Sequence, residues 1–233
     1  MDVPPDPRNG FFDAFFVYPI SLLIDWLQSV LWGSYGLAIL AVTILVRLLI
    51  LPLTVNQYKN MAKMQKIQPE MLKIREKYKK DPEKMQKEMM RLFQEYDVNP
   101  MGSYFPLLAQ APVFFALFSA VRRSPHIKTA SFLWLELGVR DPYYVLPVLA
   151  AIVTFLSMWV SQRLNPMVQN NAQMTLMLII MPLVTLFVTL SFPSALQLYW
   201  IYSSAFTVVQ TWLLKDLVRA MRPAPKEEDT VKR

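Results

Sequence analysis

The sequence predicts an all-α polytopic membrane protein. It should have five transmembrane helices around a hydrophilic groove, an N-terminal amphipathic interfacial helix and a cytoplasmic helical hairpin. Three observations carry this reading. Of the 233 residues, 54% are hydrophobic, and five stretches are almost free of charge: 36–55, 103–121, 143–162, 173–192 and 195–214. About 20 apolar residues at ~1.5 Å rise cross the ~30 Å hydrocarbon core of a bilayer, whereas helices of soluble proteins average about 11–12 residues. The basic residues also sort unequally between the two ends of these stretches. Finally, the long polar segment between the first two stretches carries two apolar stripes at helical spacing.

The charge count fixes an orientation. The loop 59–98 holds eleven Lys/Arg, the tail 215–233 holds six and the link 163–172 holds one. The N-terminal segment holds only Arg8, and the loop 122–142 holds four. Eighteen positive residues therefore fall on one side and five on the other, with Arg47 inside a span completing the twenty-four. The positive-inside rule puts the N-terminus outside and the C-terminus in the cytoplasm. The expected divisions are an extracytoplasmic segment 1–34, a first transmembrane helix 35–58, a cytoplasmic hairpin 59–98, spans two to five within 99–214, and a basic cytoplasmic tail 215–233.

The first ten residues are Pro-rich and acidic, with no basic region before an apolar core, so they do not read as a secretory signal. Between Phe11 and Trp32 the chain is apolar but interrupted by Asp13, Pro19 and Asp25. Leu22, Leu23, Trp26 and Val30 recur at helical spacing, with Ser21, Asp25, Gln28 and Ser29 opposite. This is the pattern of a helix lying in the outer interface. Read as a sixth span, it would leave the basic loop and basic tail on opposite sides, against the charge count.

In the first span, Arg47 is twelfth of the twenty residues 36–55, close to the bilayer centre. Insertion scales put such an arginine at about +2.5–3.5 kcal/mol, and the other four spans contain no Asp or Glu to pair with it. Pro52 frees the carbonyl of Leu48, yet five guanidinium donors need more than one acceptor. Water and polar side chains remain, which implies a hydrated cavity. Thr43 lies one turn before Arg47 and Thr54 two turns after it.

The loop 59–98 reads as a hairpin. Met61, Met64, Ile67, Met71, Ile74 and Tyr78 form one apolar stripe. Pro69 should interrupt this helix, which restarts there after Gln68. Asp81-Pro82 is an N-cap followed by proline at the first helical position. Met85, Met89, Leu92, Phe93 and Tyr96 form a second stripe, which Asn99-Pro100 ends. The two stripes should pair antiparallel. The methionines either fill this seam or leave part of a soft apolar face for a protein partner. The surrounding basic charge reads as a solvated face touching lipid headgroups.

The later spans carry polar residues at helical spacing: Ser103 and Gln110 in the second, and Thr154, Ser157 and Ser161 in the third. The fifth is the most polar, with Gln197, Ser204 and Thr211 in one stripe and Trp200, Ser203, Thr207 and Gln210 beside it. Singly, each Ser or Thr reads as a backbone bond or a packing contact. Collectively, around an unpaired arginine, they point to one water-filled space. Pro106, Pro112, Pro147 and Pro182 bend these helices and free carbonyls that need partners.

Composition removes several functions. There is no cysteine and one histidine, His126, and the five glycines form neither a P-loop nor a dinucleotide fingerprint. No cofactor or metal site is expected. The spans hold no base, nucleophile or ligand set, so bond-breaking catalysis is the weakest reading. A proton-coupled carrier would need an intramembrane carboxylate or histidine, and five spans give no even pair of repeats. A small-solute channel or carrier stays open beside a chaperone or insertase that holds part of another chain. Basic segments on the cytoplasmic side would meet RNA by sequence-independent attraction.

Ordered short motifs then sharpen the reading. They are Val46-Arg47-Leu48, Leu51-Pro52-Leu53-Thr54, Gln57-Tyr58 and Met61, followed by Asn99-Pro100-Met101-Gly102, Pro106-Leu107-Leu108 and Gln110-Ala111-Pro112. Asp141-Pro142-Tyr143-Tyr144, Leu146-Pro147, Phe192-Pro193-Ser194-Ala195 and Leu198-Tyr199-Trp200 complete the set. Across residues 32–214 the chain resembles the YidC-type membrane protein insertases, a bacterial family with mitochondrial and chloroplast relatives. The resemblance implies a groove open to the cytoplasm and closed outside, in which Arg47 receives hydrophilic parts of nascent membrane proteins. It puts Thr43, Gln110 and Trp200 on the groove. Gln197 and Ser204 join them from the polar stripe. It also implies the bacterial plasma membrane, the lipid bilayer and the ribosome as partners, with the signal recognition particle receptor and the translocation channel as further ones. Met61, Met64, Met71, Met85 and Met89 of the hairpin and Arg219 and Arg222 of the tail are the expected partner-binding residues. The N-terminal segment carries neither the large extracytoplasmic domain of many Gram-negative members nor the lipoprotein cysteine of many Gram-positive ones.

Overall fold

Asp6 accepts the amide of Arg8 at 2.8 Å, capping a 3-10 turn Pro7–Asn9. A π-helical turn Asp13–Val17 runs directly into helix α1, Tyr18–Val30. The computed structural model describes residues 4–99, 105–164 and 172–215. One face of α1 buries Ser21, Ile24 and Leu27. The opposite face leaves Leu22, Trp26 and Val30 exposed, and Phe11 and Phe15 before α1 are exposed as well. Ser21 thus departs from the expected polar face. It is buried because its hydroxyl donates to the Val17 carbonyl at 2.8 Å within its own helix.

Helix α2, Tyr35–Lys77, is 43 residues long and capped by Ser34, whose Oγ accepts from the Leu37 amide at 3.3 Å. The expected break at Pro69 does not occur, and α2 continues through both Pro52 and Pro69. Each proline removes one backbone bond and leaves its neighbours in place. The hairpin packing described next holds the second half of the helix straight enough to continue. The first span and the first hairpin helix are consequently one rod.

Helix α3, Pro82–Glu95, is capped by Asp81, whose Oδ1 accepts from the Lys84 amide at 3.1 Å. Its stripe meets α2 as the periodicity predicts. Ile67, Met71, Leu92 and Val98 are buried together, flanked by Met64, Ile74, Met89 and Phe93. The base of the hairpin is closed by Lys63 Nζ to Asp97 Oδ2 at 2.7 Å and by Asn60 and Asn99, which exchange bonds of 2.6 and 3.0 Å. Ile67 is fully buried, and deleting such a side chain costs about 2–5 kcal/mol. Ile67→Ala should therefore abolish hairpin protection in amide exchange while leaving α6 and α8 protected. Loss of protection throughout would show that the hairpin is not an independent unit.

Helix α4, Phe105–Arg123, ends in two arginines. Arg123 grips Asp13 bidentately, with Nη1 to Oδ1 at 2.8 Å and Nη2 on Oδ2. The Arg123 hydrogen bonds hold the Asp13 carboxyl below the usual carboxylate range. This pair fastens the N-terminal helix to the end of α4. A short helix α5, Pro125–Thr129, and an antiparallel ribbon of two two-residue strands, β1 Ser131–Phe132 and β2 Leu135–Glu136, follow in what the sequence left as a plain loop.

Asp141 is 2% exposed, and its carboxylate accepts from the amides of Tyr143 and Leu146 at 3.1 and 2.7 Å and from Trp134 Nε1 at 3.3 Å. It thereby opens helix α6, Val145–Leu164. Helix α7 is Ala172–Thr189 and helix α8 is Ser194–Leu213. The first amides of α8 donate to Val139 and Leu137 carbonyls at 2.7 and 3.1 Å, so α8 starts against the loop that follows β2. It runs between α6 and α2 and carries the main core with Ile39, Leu117, Leu135 and Leu196. Among the described residues, Tyr35–Met64 and Val145–Arg163 are long and apolar enough to cross a membrane, and Leu176–Thr189 is a shorter apolar helix. In α8 glutamine, serine, threonine and tyrosine dilute the apolar character.

Candidate functional site

Three helices meet at one hydroxyl. Arg47, on the face of α2 turned to α8, donates from Nη2 to Ser203 Oγ. Gln110 on α4 donates from Nε2 to the same Oγ at 2.9 Å and to Tyr199 OH at 3.4 Å. Among the described residues no carboxylate pairs with Arg47, and Ser203 is the one acceptor it meets. The guanidinium is half-buried, with most of its donors still to be satisfied.

The space beside it is a cavity of about 400 Å³. Its polar lining is Arg47, Gln110, Ser203 and Ser204, and its apolar lining includes Leu108, Phe114, Phe115 and the Trp200 ring. Trp200 is fixed from two sides. Its Nε1 donates to Thr154 Oγ1 on α6 at 3.1 Å, and Phe114 meets it edge-on with ring centres 6.3 Å apart. On the side of α2 towards the hairpin, Tyr58 and Thr211 hydroxyls lie 2.9 Å apart and tie α2 to α8 again. An arrangement of this kind holds a fixed positive charge beside an apolar wall. It suits a segment that is polar at one end and apolar along its length.

The structure brings Arg47, Gln110, Trp200 and Ser204 together on this cavity. It does not bring Thr43 or Gln197 there. Thr43 is 1% exposed and donates to the Ile39 carbonyl at 2.7 Å. Gln197 is also 1% exposed, and its Nε2 caps the end of α7 by donating to the Thr189 and Phe192 carbonyls at 2.8 and 2.9 Å. Ser157 and Ser161 likewise bond to their own helix. Ser203 and Tyr199 are the members that sequence reasoning passed over as site residues. Their signal was their spacing of four on α8, the face that also carries Thr207.

Of the expected partner-binding residues, Met64, Met71 and Met89 sit in the hairpin seam and Met85 is half-buried outside it. The side chain of Met61 and both Arg219 and Arg222 lie outside the described residues.

The chain as a whole is similar to known proteins. A family described as "60Kd inner membrane protein" matches residues 26–221. "Membrane protein insertase YidC 1" of Listeria monocytogenes serotype 4b (strain F2365) is 43% identical, over 97% of this chain and 81% of its own length. "Membrane protein insertase MisCA" of Bacillus subtilis (strain 168) is 41% identical, over 93% of this chain and 84% of its own. A solved structure described as "Active YidC insertase crystal structure with the first transmembrane domain resolved" superposes with a TM-score of 0.67 at 27% identity. That match covers 87% of this chain, which spans only 47% of the solved one. The chain belongs to the 60Kd inner membrane protein family, the YidC-type membrane protein insertases.

Proposed function

We propose that this protein inserts nascent membrane proteins by lodging their hydrophilic parts against Arg47 and releasing their apolar segments into the bilayer. The observation that carries the reading is the Arg47–Ser203–Gln110 cluster on a cavity that is also lined by Leu108, Phe114, Phe115 and Trp200. A charge without a counter-ion inside a span is expensive, and a ligand that supplies negative charge for part of the cycle offsets that cost. No bond is made or broken, so the role is that of an insertase and chaperone. Purified protein in liposomes should insert a short single-span substrate. Conduction of a small solute without insertion would favour the channel or carrier alternative.

The topology that goes with this function has five spans, an interfacial N-terminal helix and cytoplasmic α2–α3 hairpin and tail. It is supported by the eighteen-to-five division of basic residues and by the exposed Phe11, Trp26 and Trp32 on the opposite side of the first span from the hairpin. Because the chain has no cysteine, single cysteines report cleanly. A membrane-impermeant thiol reagent outside intact cells should label Ser131→Cys and spare Lys80→Cys. Labelling at position 80 would reverse the orientation. On the cytoplasmic side the hairpin and basic tail would meet the ribosome, with the signal recognition particle receptor and the translocation channel as further candidate partners.

A further inference from the structure

Every side chain that lines the cavity beside Arg47 comes from α2, α4 or α8. Helix α6 packs along α8, yet among the described residues none of its side chains lines the cavity. It is joined to the lining by the hydrogen bond from Trp200 Nε1 to Thr154 Oγ1 at 3.1 Å.

That bond decides what the Trp200 ring offers to an occupant. Indole carries a single donor and no acceptor. Without a partner, the N–H would turn to water or to a carbonyl of whatever enters, because an unmet donor in a half-buried place costs free energy. Thr154 takes the donor on the α6 side, away from the lining, and carbon surface is what remains for the cavity. Three side chains with nitrogen donors line this space: Arg47, Gln110 and Trp200. The first two converge on Ser203. The third is drawn aside to α6. Donors are thereby gathered at one point, and the ring beside them is left apolar.

The ring is also braced from α4. Phe114 meets it edge-on, at 86° between planes. Phe114 meets the Tyr199 ring as well, with centres 6.2 Å apart, and the Tyr199 hydroxyl accepts from Gln110 at 3.4 Å. A chain of contacts therefore runs from Thr154 on α6 through the aromatic rings to the polar cluster on α2, α4 and α8. We infer that Thr154 is a positioning residue. By holding the Trp200 N–H on α6 it keeps an apolar platform beside the Arg47 cluster, and so makes the cavity selective for an aromatic residue next to the polar part of an inserting chain. This rests on the proposed use of the cavity by inserting chains and adds the residue that sets its selectivity.

The test uses the whole protein in liposomes and two single-span substrates with the same acidic tail. They differ in one residue, Phe or Ala, where the tail joins the apolar span. Insertion is corrected for protein-free liposomes, and the ratio of the two rates is read. Wild type should prefer Phe. Thr154→Val keeps the shape and removes the acceptor, and should lower that preference about fivefold, the size of one aromatic contact. Thr154→Ser keeps the hydroxyl and should retain most of it. Trp200→Phe removes the donor, so Thr154→Val should add nothing in that background. A purely structural role of Thr154 in α6 would persist there. No preference in wild type, an unchanged preference in Thr154→Val, an equal loss in Thr154→Ser, or an undiminished effect of Val beside Trp200→Phe each overturns the assignment. Should Thr154→Val fail to fold, Thr154→Ala reads the same cycle. Insertion of neither substrate by wild type sinks the proposed function together with this role, whereas normal insertion with an unchanged ratio sinks the role of Thr154 alone.

Discussion

Asp13→Ala should lower the thermal stability of the detergent-solubilised protein by about 2 kcal/mol, and Arg123→Ala should do the same. The value lies between exposed ion pairs, worth about 0–1 kcal/mol, and fully buried ones, where losing one partner costs about 3–5 kcal/mol. The intermediate figure follows from side-chain exposures of 10% and 18%. Each single change strips the other charge of its opposite partner in a mostly buried place. The double variant Asp13→Leu/Arg123→Met should recover much of the loss, because no orphan charge remains. The pH dependence has a definite sign. Asp13 is held below its ordinary 3.8 by its bonds to Arg123. Its contribution is therefore complete above the unfolded value and is lost as pH falls through the lowered folded one. Wild type should then outmelt Asp13→Ala at pH 7 and lose that advantage in acid well below pH 4. An Asp13→Ala protein that melts with wild type at pH 7 would release the N-terminal helix from its assigned anchor.

What could be read in advance, and what could not, divides along physical lines. The hairpin was legible because Ile67, Met71 and Leu92 repeat with the helical period, and an apolar stripe on a polar helix has one economical solution, a second stripe. Pro69 misled because a local breaking tendency of about 3 kcal/mol was weighed without the packing that α3 supplies. Arg47 was legible as the only charge in an otherwise neutral span. Ser203 was not, because a serine that bonds its own helix and a serine that accepts from two other helices look identical in sequence. Thr43 shows the converse. It shares a face with Arg47, but its hydroxyl reaches only the Ile39 carbonyl, while the long arginine crosses to α8. The Asp13–Arg123 pair joins residues 110 apart, and a charge count can put both on one side of a membrane without pairing them. Asp141 and Ser194 belonged to recognised motifs, and their amide and carbonyl partners explain them as helix starts around the folded segment between α4 and α6.

The largest functional effect is expected at Arg47. Arg47→Ala should lose insertion of a substrate whose translocated segment is acidic, by about tenfold or more, equivalent to about 1.4 kcal/mol of attraction at a half-buried site. Its melting temperature should hold or rise, since a costly intramembrane charge has gone. Arg47→Lys should keep much of the activity, because the charge persists and only the planar fork of donors is lost. A structural role for the same residue predicts a different pattern. Arg47 meets Ser203, which also accepts from Gln110, so the guanidinium could serve as a cross-brace between α2, α4 and α8. Then Arg47→Ala should melt early, Lys should fail nearly as badly, and Ser203→Ala should reproduce both losses. On the electrostatic account Ser203→Ala frees the guanidinium toward the cavity and leaves insertion near wild type. Melting temperature and insertion of one acidic-tailed and one neutral-tailed substrate, measured on these three variants, separate the two. Normal insertion of the acidic substrate by a stable Arg47→Ala protein would falsify attraction by this charge. Equal loss of both substrates with a lowered melting temperature would assign Arg47 to the brace.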